Sequence, residues 1–119
     1  MSLRNLQGIS LDAIAPETRF DVAYKAIMQL AIAALHANGY RLLTSRPGHH
    51  QTAIQSLPLA IGLALDKMQV LDALRKQRNL ADYSGERAPI ALVDECMISA
   101  RELHTHVQAW LVATKPELL

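Results

Sequence analysis

The sequence predicts an all-α protein, an antiparallel up-down four-helix bundle. Half of its 119 residues are apolar, which is enough to bury a core. The aromatic residues are only one Trp, three Tyr and one Phe, and the Ala, Leu and Ile that supply most of the apolar surface favour helices. Apolar positions recur at spacings of three and four, without the alternation typical of strands. We therefore expect a single domain over residues 1–119, with a bundle core at about 16–114.

The first long helix is predicted to begin at Pro16 and to end before Asn38-Gly39. Proline fits the first turn, where its missing N–H is not needed, and glycine is favoured just past a helix C-terminus because it adopts a positive φ. A short extra helical turn is expected before this helix, at residues 10–14. The seam of the long helix repeats at 3-4-3-4 spacing and consists of Phe20, Ala23, Ile27, Leu30 and Ala34.

A connector over residues 40–48 leads to a second helix, which is predicted at residues 49–57. Pro58 and Gly62 would weaken or bend the chain beyond it, because proline lacks the N–H and glycine is a poor helix former. With short links between the helices, we expect each helix to run antiparallel to the one before it. The apolar side of this second helix consists of Ala53, Ile54 and Leu57.

The third helix is predicted to run from an N-cap at Asp66 to about Tyr83. Its inward-facing residues are expected to be Val70, Leu74 and Ala81. Ser84-Gly85 would then end the helix.

The last helix is predicted to open at Arg87-Ala88-Pro89 and to end at Lys115-Pro116. The single cysteine, Cys96, excludes an intrachain disulfide and is expected to be a small core residue. The seam repeats at 3-4-3-4-3 spacing and consists of Val93, Cys96, Ala100, Leu103, Val107 and Trp110.

The overall charge and the apolar segments say little about partners. The formal net charge is +1, from 12 basic and 11 acidic side chains, so a nucleic-acid site would have to be a local patch. The uncharged stretch at residues 26–40 contains Gln29, His36 and Asn38 and is shorter than the ~20 apolar residues that span a bilayer, and the first residues do not resemble a signal peptide. We expect a cytoplasmic protein that does not contact a membrane.

The most informative segment is the third helix, where four polar residues share one face. Arg75, Arg78, Asn79 and Asp82 fall at i, i+3, i+4 and i+7, and Tyr83 adjoins them. We call these five residues the arginine strip. A strip of this kind either binds a phosphate-bearing ligand or is a solvated surface on which Asp82 pairs with the arginines. The sequence leaves both interpretations open.

The remaining chemistry-bearing residues do not form a recognisable site. The pairs His49-His50 and His104/His106 lack the i, i+3 or i, i+4 spacing of a helical zinc pair. The sequence contains no glycine-rich phosphate loop, and we expect neither a metal nor a cofactor. His50 opens the second helix, from which it could reach the third helix as a hydrogen-bonding partner.

The order and spacing of several short motifs resemble the HEPN family (higher eukaryotes and prokaryotes nucleotide-binding domains) over residues 21–111. The main signature is the segment from Leu74 to Tyr83. The other matching motifs are Tyr24, Ala34-Leu35, Asn38-Gly39-Tyr40, Gly48-His49-His50, and the Ala100 and Leu103 seam of the last helix.

The resemblance implies a departure from the active members of that family. Active HEPN ribonucleases carry an arginine followed, after four to six residues, by a histidine. Arg78 and Asn79 match the arginine and the polar residue after it, whereas Tyr83 stands where the histidine would be. Tyrosine, with a reference pKa of about 10, is a poor general base at neutral pH. We therefore do not expect efficient RNA cleavage.

We expect a HEPN-like interaction protein, homodimeric, whose groove holds a nucleotide, RNA or a protein partner. The family implies a toxin–antitoxin or defence system, with a nucleotidyltransferase-type antitoxin as a partner. The alternatives are a divergent metal-independent ribonuclease and a purely structural scaffold. The residues expected to line the groove are His50, Arg75, Arg78, Asn79, Asp82 and Tyr83.

Overall fold

The computed structural model describes residues 15–42, 47–84 and 90–119, except the side chains of Glu17 and of residues 81–84. These ranges are helical and contain no strand, which confirms the all-α prediction. The expected turn at residues 10–14 and the expected opening at Arg87-Ala88-Pro89 lie outside the described residues. The helices are α1 (Pro16–Ala37), α2 (His49–Gln55), α3 (Leu57–Ile61), α4 (Leu65–Ser84) and α5 (Ile90–Thr114), followed by a 3-10 turn at Pro116–Leu118.

The predicted boundaries of α1 are confirmed. Pro16 is its first residue, and Gly39 follows it with a φ of 86°. The N–H of Gly39 donates to the carbonyl of His36 at 2.9 Å, and that of Tyr40 donates to Leu35 at 3.0 Å. This pair of bonds is the Schellman arrangement, which satisfies carbonyls that the helix end would otherwise leave without partners.

The predicted N-cap of α4 is wrong. The helix begins at Leu65, and the carbonyl of Ala64 already accepts the N–H of Met68 at 3.0 Å. Asp66 therefore lies inside the first turn, where its Oδ1 accepts the N–H of Lys67 at 3.0 Å. The carboxylate still favours this end of the helix through the dipole, but it does not set the starting residue.

The segment predicted as one helix at residues 49–57 consists of two short helices that meet at Ser56. Its Oγ donates to the carbonyl of Ala53 at 2.7 Å, and Pro58 lies in the first turn of α3, where its ring is tolerated. Gly62, with a φ of 67°, ends α3. The predicted apolar side is confirmed, since Ala53, Ile54 and Leu57 are fully buried.

The apolar core forms mainly between α1 and α5. Of the predicted seam residues, Leu30, Ala100 and Trp110 are half-buried and all the others are buried. Cys96 is a core residue, as predicted, and burial raises the pKa of its thiol to about 12. On α4, Leu71 and Leu74 are buried and Val70 is half-buried, while the side chain of Ala81 lies outside the described residues.

The helices do not alternate in direction, which corrects the predicted up-down arrangement. The Cys96 Sγ lies 3.9 Å from the carbonyl oxygen of Phe20, near the beginning of both helices. Towards their ends, the Asn38 amide donates to the carbonyl of Ala60 at 3.0 Å, and His106 Nε2 lies 2.8 Å from that of Ile61. The helices α1 and α5 are therefore parallel.

The two short helices also run in the direction of α1. His50, at the start of α2, lies beside Tyr24 in the first half of α1, and Ala60, near the end of α3, lies beside Asn38 at the end of α1. Arg78, late in α4, pairs with Asp21, early in α1, and Lys67, early in α4, pairs with Glu102 in the second half of α5. Among the described helices, α4 is therefore antiparallel to α1 and α5.

Among the described residues, no helix combines the length and the apolar character needed to cross a membrane.

Candidate functional site

Arg75 lies at the edge of the core and is paired within its own helix. Its Nε donates to Asp72 Oδ1 at 2.8 Å, and both side chains are only 12% exposed. Lys76 Nζ lies 3.6 Å from the other carboxylate oxygen. Within the described part of the chain, the two terminal nitrogens of Arg75 make no hydrogen bond. They are the donors that this pairing leaves for a ligand.

Arg78 connects α4 to α1. Its Nη2 donates to Asp21 Oδ1 at 2.8 Å, and its guanidinium lies 4.9 Å from the centroid of the Tyr24 ring. Lys25 Nζ lies 3.0 Å from the other oxygen of Asp21. A guanidinium over an aromatic face is attracted by the ring quadrupole, so α1 holds Arg78 from two sides.

His50 of α2 meets the same tyrosine. The Tyr24 hydroxyl oxygen and His50 Nδ1 lie 3.0 Å apart, and the ring centroids are 5.8 Å apart. The His49 ring packs against His50 edge-on, at 4.4 Å. The hydrogen bond that the structure shows for His50 is therefore to α1, and not to the third predicted helix (α4) as expected, although His50 is near enough to Arg75 and Arg78 to respond to their charge. We call the six side chains from these three helices the polar cluster: Asp21, Tyr24, His50, Asp72, Arg75 and Arg78.

The two carboxylates of the polar cluster are held in their charged form. The hydrogen bond from Arg78 is the main cause that lowers the pKa of Asp21 below its usual value. Burial alone would raise the pKa of Asp72, but the hydrogen bond and charge of Arg75, together with Lys76, outweigh it and lower the pKa. Both acids therefore stay ionised and orient the arginines.

The tyrosine and the histidine are held in their neutral forms. Burial raises the pKa of the Tyr24 hydroxyl, although the charges of Arg78 and Arg75 oppose this shift. Burial also lowers the pKa of His50, and His49, Arg78 and Arg75 lower it further. The charges of Arg75 and Arg78 lower the pKa of both Tyr24 and His50, so the protonation of the two rings depends on the arginines.

The arginine strip is only partly described. Asn79 is exposed on α4, and the side chains of Asp82 and Tyr83 lie outside the described residues. The predicted pairing of Asp82 with the arginines therefore stays a prediction. The partners that the structure does show are Asp72 and Asp21.

Sequence reasoning missed three members of the polar cluster as site residues. Asp72 could have been found, because it precedes Arg75 by three residues and Lys76 by four, the spacing of helical ion pairs. Asp21 could not, since 57 residues separate it from Arg78. Tyr24 lies between the predicted seam positions 23 and 27 and is 1% exposed. The helical spacing indicates only that it is apolar, and the HEPN resemblance, in which it is one of the matching motifs, assigned it no role in the site.

A concave surface lies between α4 and α5, and none of the residues that line it belongs to the polar cluster. It is open to solvent on one side, has a volume of about 260 Å³, and is lined by apolar residues such as Leu71, Ile98 and Leu103. Lys67 of α4 and Glu102 of α5, which also line it, form an exposed ion pair at 3.0 Å. Among the described residues, no group of three or more His, Cys, Asp or Glu could hold a metal ion.

Searches against protein-family models, curated proteins and solved structures find no match to this chain. The resemblance to the HEPN family therefore rests on the sequence motifs alone and stays a prediction.

Proposed function

We propose that the chain is a binding module whose polar cluster, together with Asn79, Asp82 and Tyr83 of the arginine strip, holds a phosphate-bearing ligand, a nucleotide or RNA. The observation that carries the proposal is the convergence of three helices. Helix α4 brings the Arg78 guanidinium to a tyrosine of α1, and α2 brings an imidazole to the same tyrosine. Arg75 lies one turn before Arg78 on α4, near enough for its charge to act on both rings. Planar guanidinium groups match the oxygens of a phosphate.

The carboxylates do not remove the capacity of the cluster to bind an anion. Asp72 engages Arg75 only through Nε, so the terminal nitrogens keep their fork geometry. An arginine that is held in place loses less conformational entropy when a ligand arrives. Asp21 and Asp72 reduce the local positive charge. We therefore expect a modest affinity for the phosphate-bearing ligand, which depends on the placement of the arginine donors more than on net charge.

The oligomeric state and the protein partner in this proposal come from the HEPN resemblance. In this proposal two copies of a HEPN-like bundle form a homodimer in the cytoplasm, and their arginine strips share a groove. A nucleotidyltransferase-type antitoxin would be the protein partner of a toxin–antitoxin or defence system. Sedimentation equilibrium of the purified chain tests the dimer, and a nucleotidyltransferase reading frame next to the coding sequence would support the partner.

Titration of ATP and of a short fluorescent single-stranded RNA at two salt concentrations tests the binding function. We expect binding to weaken as salt rises, because phosphate contacts release counterions. Arg75→Lys and Arg78→Lys keep the charge but lose the guanidinium fork, so we expect each to weaken binding about tenfold, equivalent to ~1.4 kcal/mol.

The matched control is Arg101→Lys, at an exposed position of α5, which should bind as the unchanged protein does. Circular dichroism of each variant shows whether it is folded. If both cluster variants bind ATP and RNA as well as the control, the binding function is wrong. Unchanged dimerisation in the same variants would then leave the structural scaffold as the better interpretation.

A divergent ribonuclease is the second candidate, and one observation favours it. His50 supplies an imidazole beside Arg78 and Tyr24, although the sequence has Tyr83 where the family places its histidine. Metal-independent cleavage would require a general base for the 2′-hydroxyl and an acid for the leaving oxygen. RNA incubated with the purified protein and with His50→Ala tests this candidate; equal cleavage, or none, in both samples excludes His50 as a catalytic residue.

A further inference from the structure

The hydroxyl of Tyr24 has a single partner among the described residues. Tyr24 is 1% exposed, and its one hydrogen bond within the described part of the chain joins it to His50 Nδ1 at 3.0 Å. A tyrosine hydroxyl carries one proton to donate. A buried donor without an acceptor costs about 1–3 kcal/mol, so the proton of Tyr24 belongs in this hydrogen bond.

Because the Tyr24 proton needs an acceptor, Tyr24 is the donor and His50 the acceptor in this hydrogen bond. If His50 donated from Nδ1 to the tyrosine oxygen, the Tyr24 proton would have no acceptor. If Tyr24 donates to Nδ1 instead, both groups are satisfied. A neutral imidazole carries one proton, and with Nδ1 as an acceptor that proton lies on Nε2.

The other ring nitrogen is available to a ligand. His50 Nε2 makes no hydrogen bond with a described residue, and it is not among the fully buried polar atoms without a partner. Nε2 therefore reaches solvent as an N–H group.

We propose that Tyr24 is a positioning residue, which holds neutral His50 in the Nε2–H tautomer, so that His50 is a hydrogen-bond donor of the site. The inference deepens the proposed function and, for the ligand, rests on it. Two groups of the polar cluster are then donors that face the ligand: the Nη groups of Arg75 and the Nε2–H of His50. At this part of the site they favour ligand atoms that are acceptors without protons, as the oxygens of a phosphodiester are.

The same tautomer bears on the ribonuclease candidate. A general base needs a lone pair, and neutral His50 has its lone pair on Nδ1, where Tyr24 donates to it. In this state His50 cannot take the proton of a 2′-hydroxyl through Nε2. Tyr24 therefore makes the imidazole suited to binding and unsuited to starting RNA cleavage.

Long-range ¹H–¹⁵N correlation spectra of the full chain, without a ligand, test the tautomer directly. We expect His50 to show the Nε2–H pattern above its pKa. Tyr24→Phe keeps the ring beneath Arg78 and removes only the hydroxyl, so we expect a mixture of tautomers in that variant. The Nδ1–H pattern in the unchanged protein, or an unchanged Nε2–H pattern in Tyr24→Phe, would overturn the role of Tyr24. This result does not depend on whether the proposed ligand binds.

Binding of the fluorescent RNA to two His50 variants tests whether the Nε2–H group of His50 donates a hydrogen bond to the ligand. The amide NH₂ of His50→Gln can occupy the place of Nε2, whereas that of His50→Asn lies near Nδ1. We expect His50→Gln to bind within about threefold of the unchanged protein and His50→Asn to lose about tenfold, the loss of one hydrogen bond to a charged group. Equal losses in both variants would overturn the donor role. If the unchanged protein binds neither RNA nor ATP, the proposed function fails, and the spectra alone decide the tautomer.

Discussion

The seam between α1 and α5 and the polar cluster between α1, α2 and α4 share a helix but are held together in different ways. In the seam, Ile27, Val93 and Cys96 are fully buried. In the polar cluster, the side chain of Arg75 is 12% exposed and that of Arg78 is 25% exposed. The seam is stabilised by non-directional burial, whereas the cluster depends on specific pairs at hydrogen-bonding distance. Substitutions in the seam should therefore have the largest effect on the free energy of unfolding. Substitutions in the cluster should affect the energies of the ion pairs, the pH dependence of stability and the binding of a ligand.

Truncation in the seam should have the largest effect. Leu103→Ala removes a side chain that is 2% exposed, and we expect the free energy of unfolding to fall by about 2–5 kcal/mol, from lost burial and a residual cavity. Leu59→Ala is the matched control, because Leu59 is 95% exposed. Urea unfolding followed by circular dichroism measures both. Similar losses at the two positions would contradict the assignment of the core.

Ion pairs should differ in strength between the cluster and the open surface. A double-mutant cycle with Asp72→Ala and Arg75→Ala should give a coupling of about 1–2 kcal/mol, because both side chains of this pair are only 12% exposed and solvent screens their attraction weakly. Lys76 remains beside Asp72 when Arg75 is truncated, which limits the coupling to this range. The same cycle on Lys67 and Glu102, whose side chains are about half exposed, should give a coupling too small to measure. Equal couplings would mean that solvent screens the cluster as fully as the surface.

The carboxylates of the cluster should give the protein acid sensitivity. The folded pKa values of Asp21 and Asp72 are lowered below the unfolded value of about 3.8, so their contribution to stability is present above that pH. It is lost as pH falls through the folded values. The free energy of unfolding, measured in urea from pH 5 downwards, should fall below about pH 4. Asp72→Asn should flatten this fall, and an unchanged slope would contradict the pairing.

His50 should add a smaller loss at higher pH. Its folded pKa is lowered below the unfolded value of 6.5, so the unfolded chain binds a proton first, and stability falls as pH drops below about 6.5. The same titration of His50→Gln, which has no imidazole at this position, should lose that part of the pH dependence. An identical curve for both proteins would show that the ring is not held neutral by the fold.

The smallest effect on stability is expected at Asn79. Asn79→Ala should raise the free energy of unfolding by ~0.5 kcal/mol or less, because alanine is the better helix former at an exposed position. If the strip binds RNA, the same variant should bind it more weakly than the unchanged protein. If Asn79→Ala instead lowers the free energy of unfolding, Asn79 has a structural partner and belongs to the residues that stabilise the fold.

The sequence by itself determined the long helices and which of their faces lie inside, but not the division of residues 49–61 into two short helices. The spacing of apolar residues predicted that Phe20, Ile27, Val93 and Leu103 are buried, because the buried face of a helix repeats with the period of the helix, which can be read from neighbouring residues. Pro16 and Asn38-Gly39 marked the ends of α1, since these residues restrict or permit particular φ values.

Only the tertiary structure decided how the helices run and which polar groups meet. A connector of about ten residues can lead either to the adjacent end or back along the bundle, so its length did not determine that α1, α2 and α5 are parallel. Asp21 and Arg78 are 57 residues apart, and no local period relates them. The helical spacing indicates only that Tyr24 is apolar, and it is the common partner of Arg78 and His50 because α4 and α2 both pack against α1 at this residue. Pairing of this kind depends on where whole helices pack, and that is set by the sum of contacts over the core.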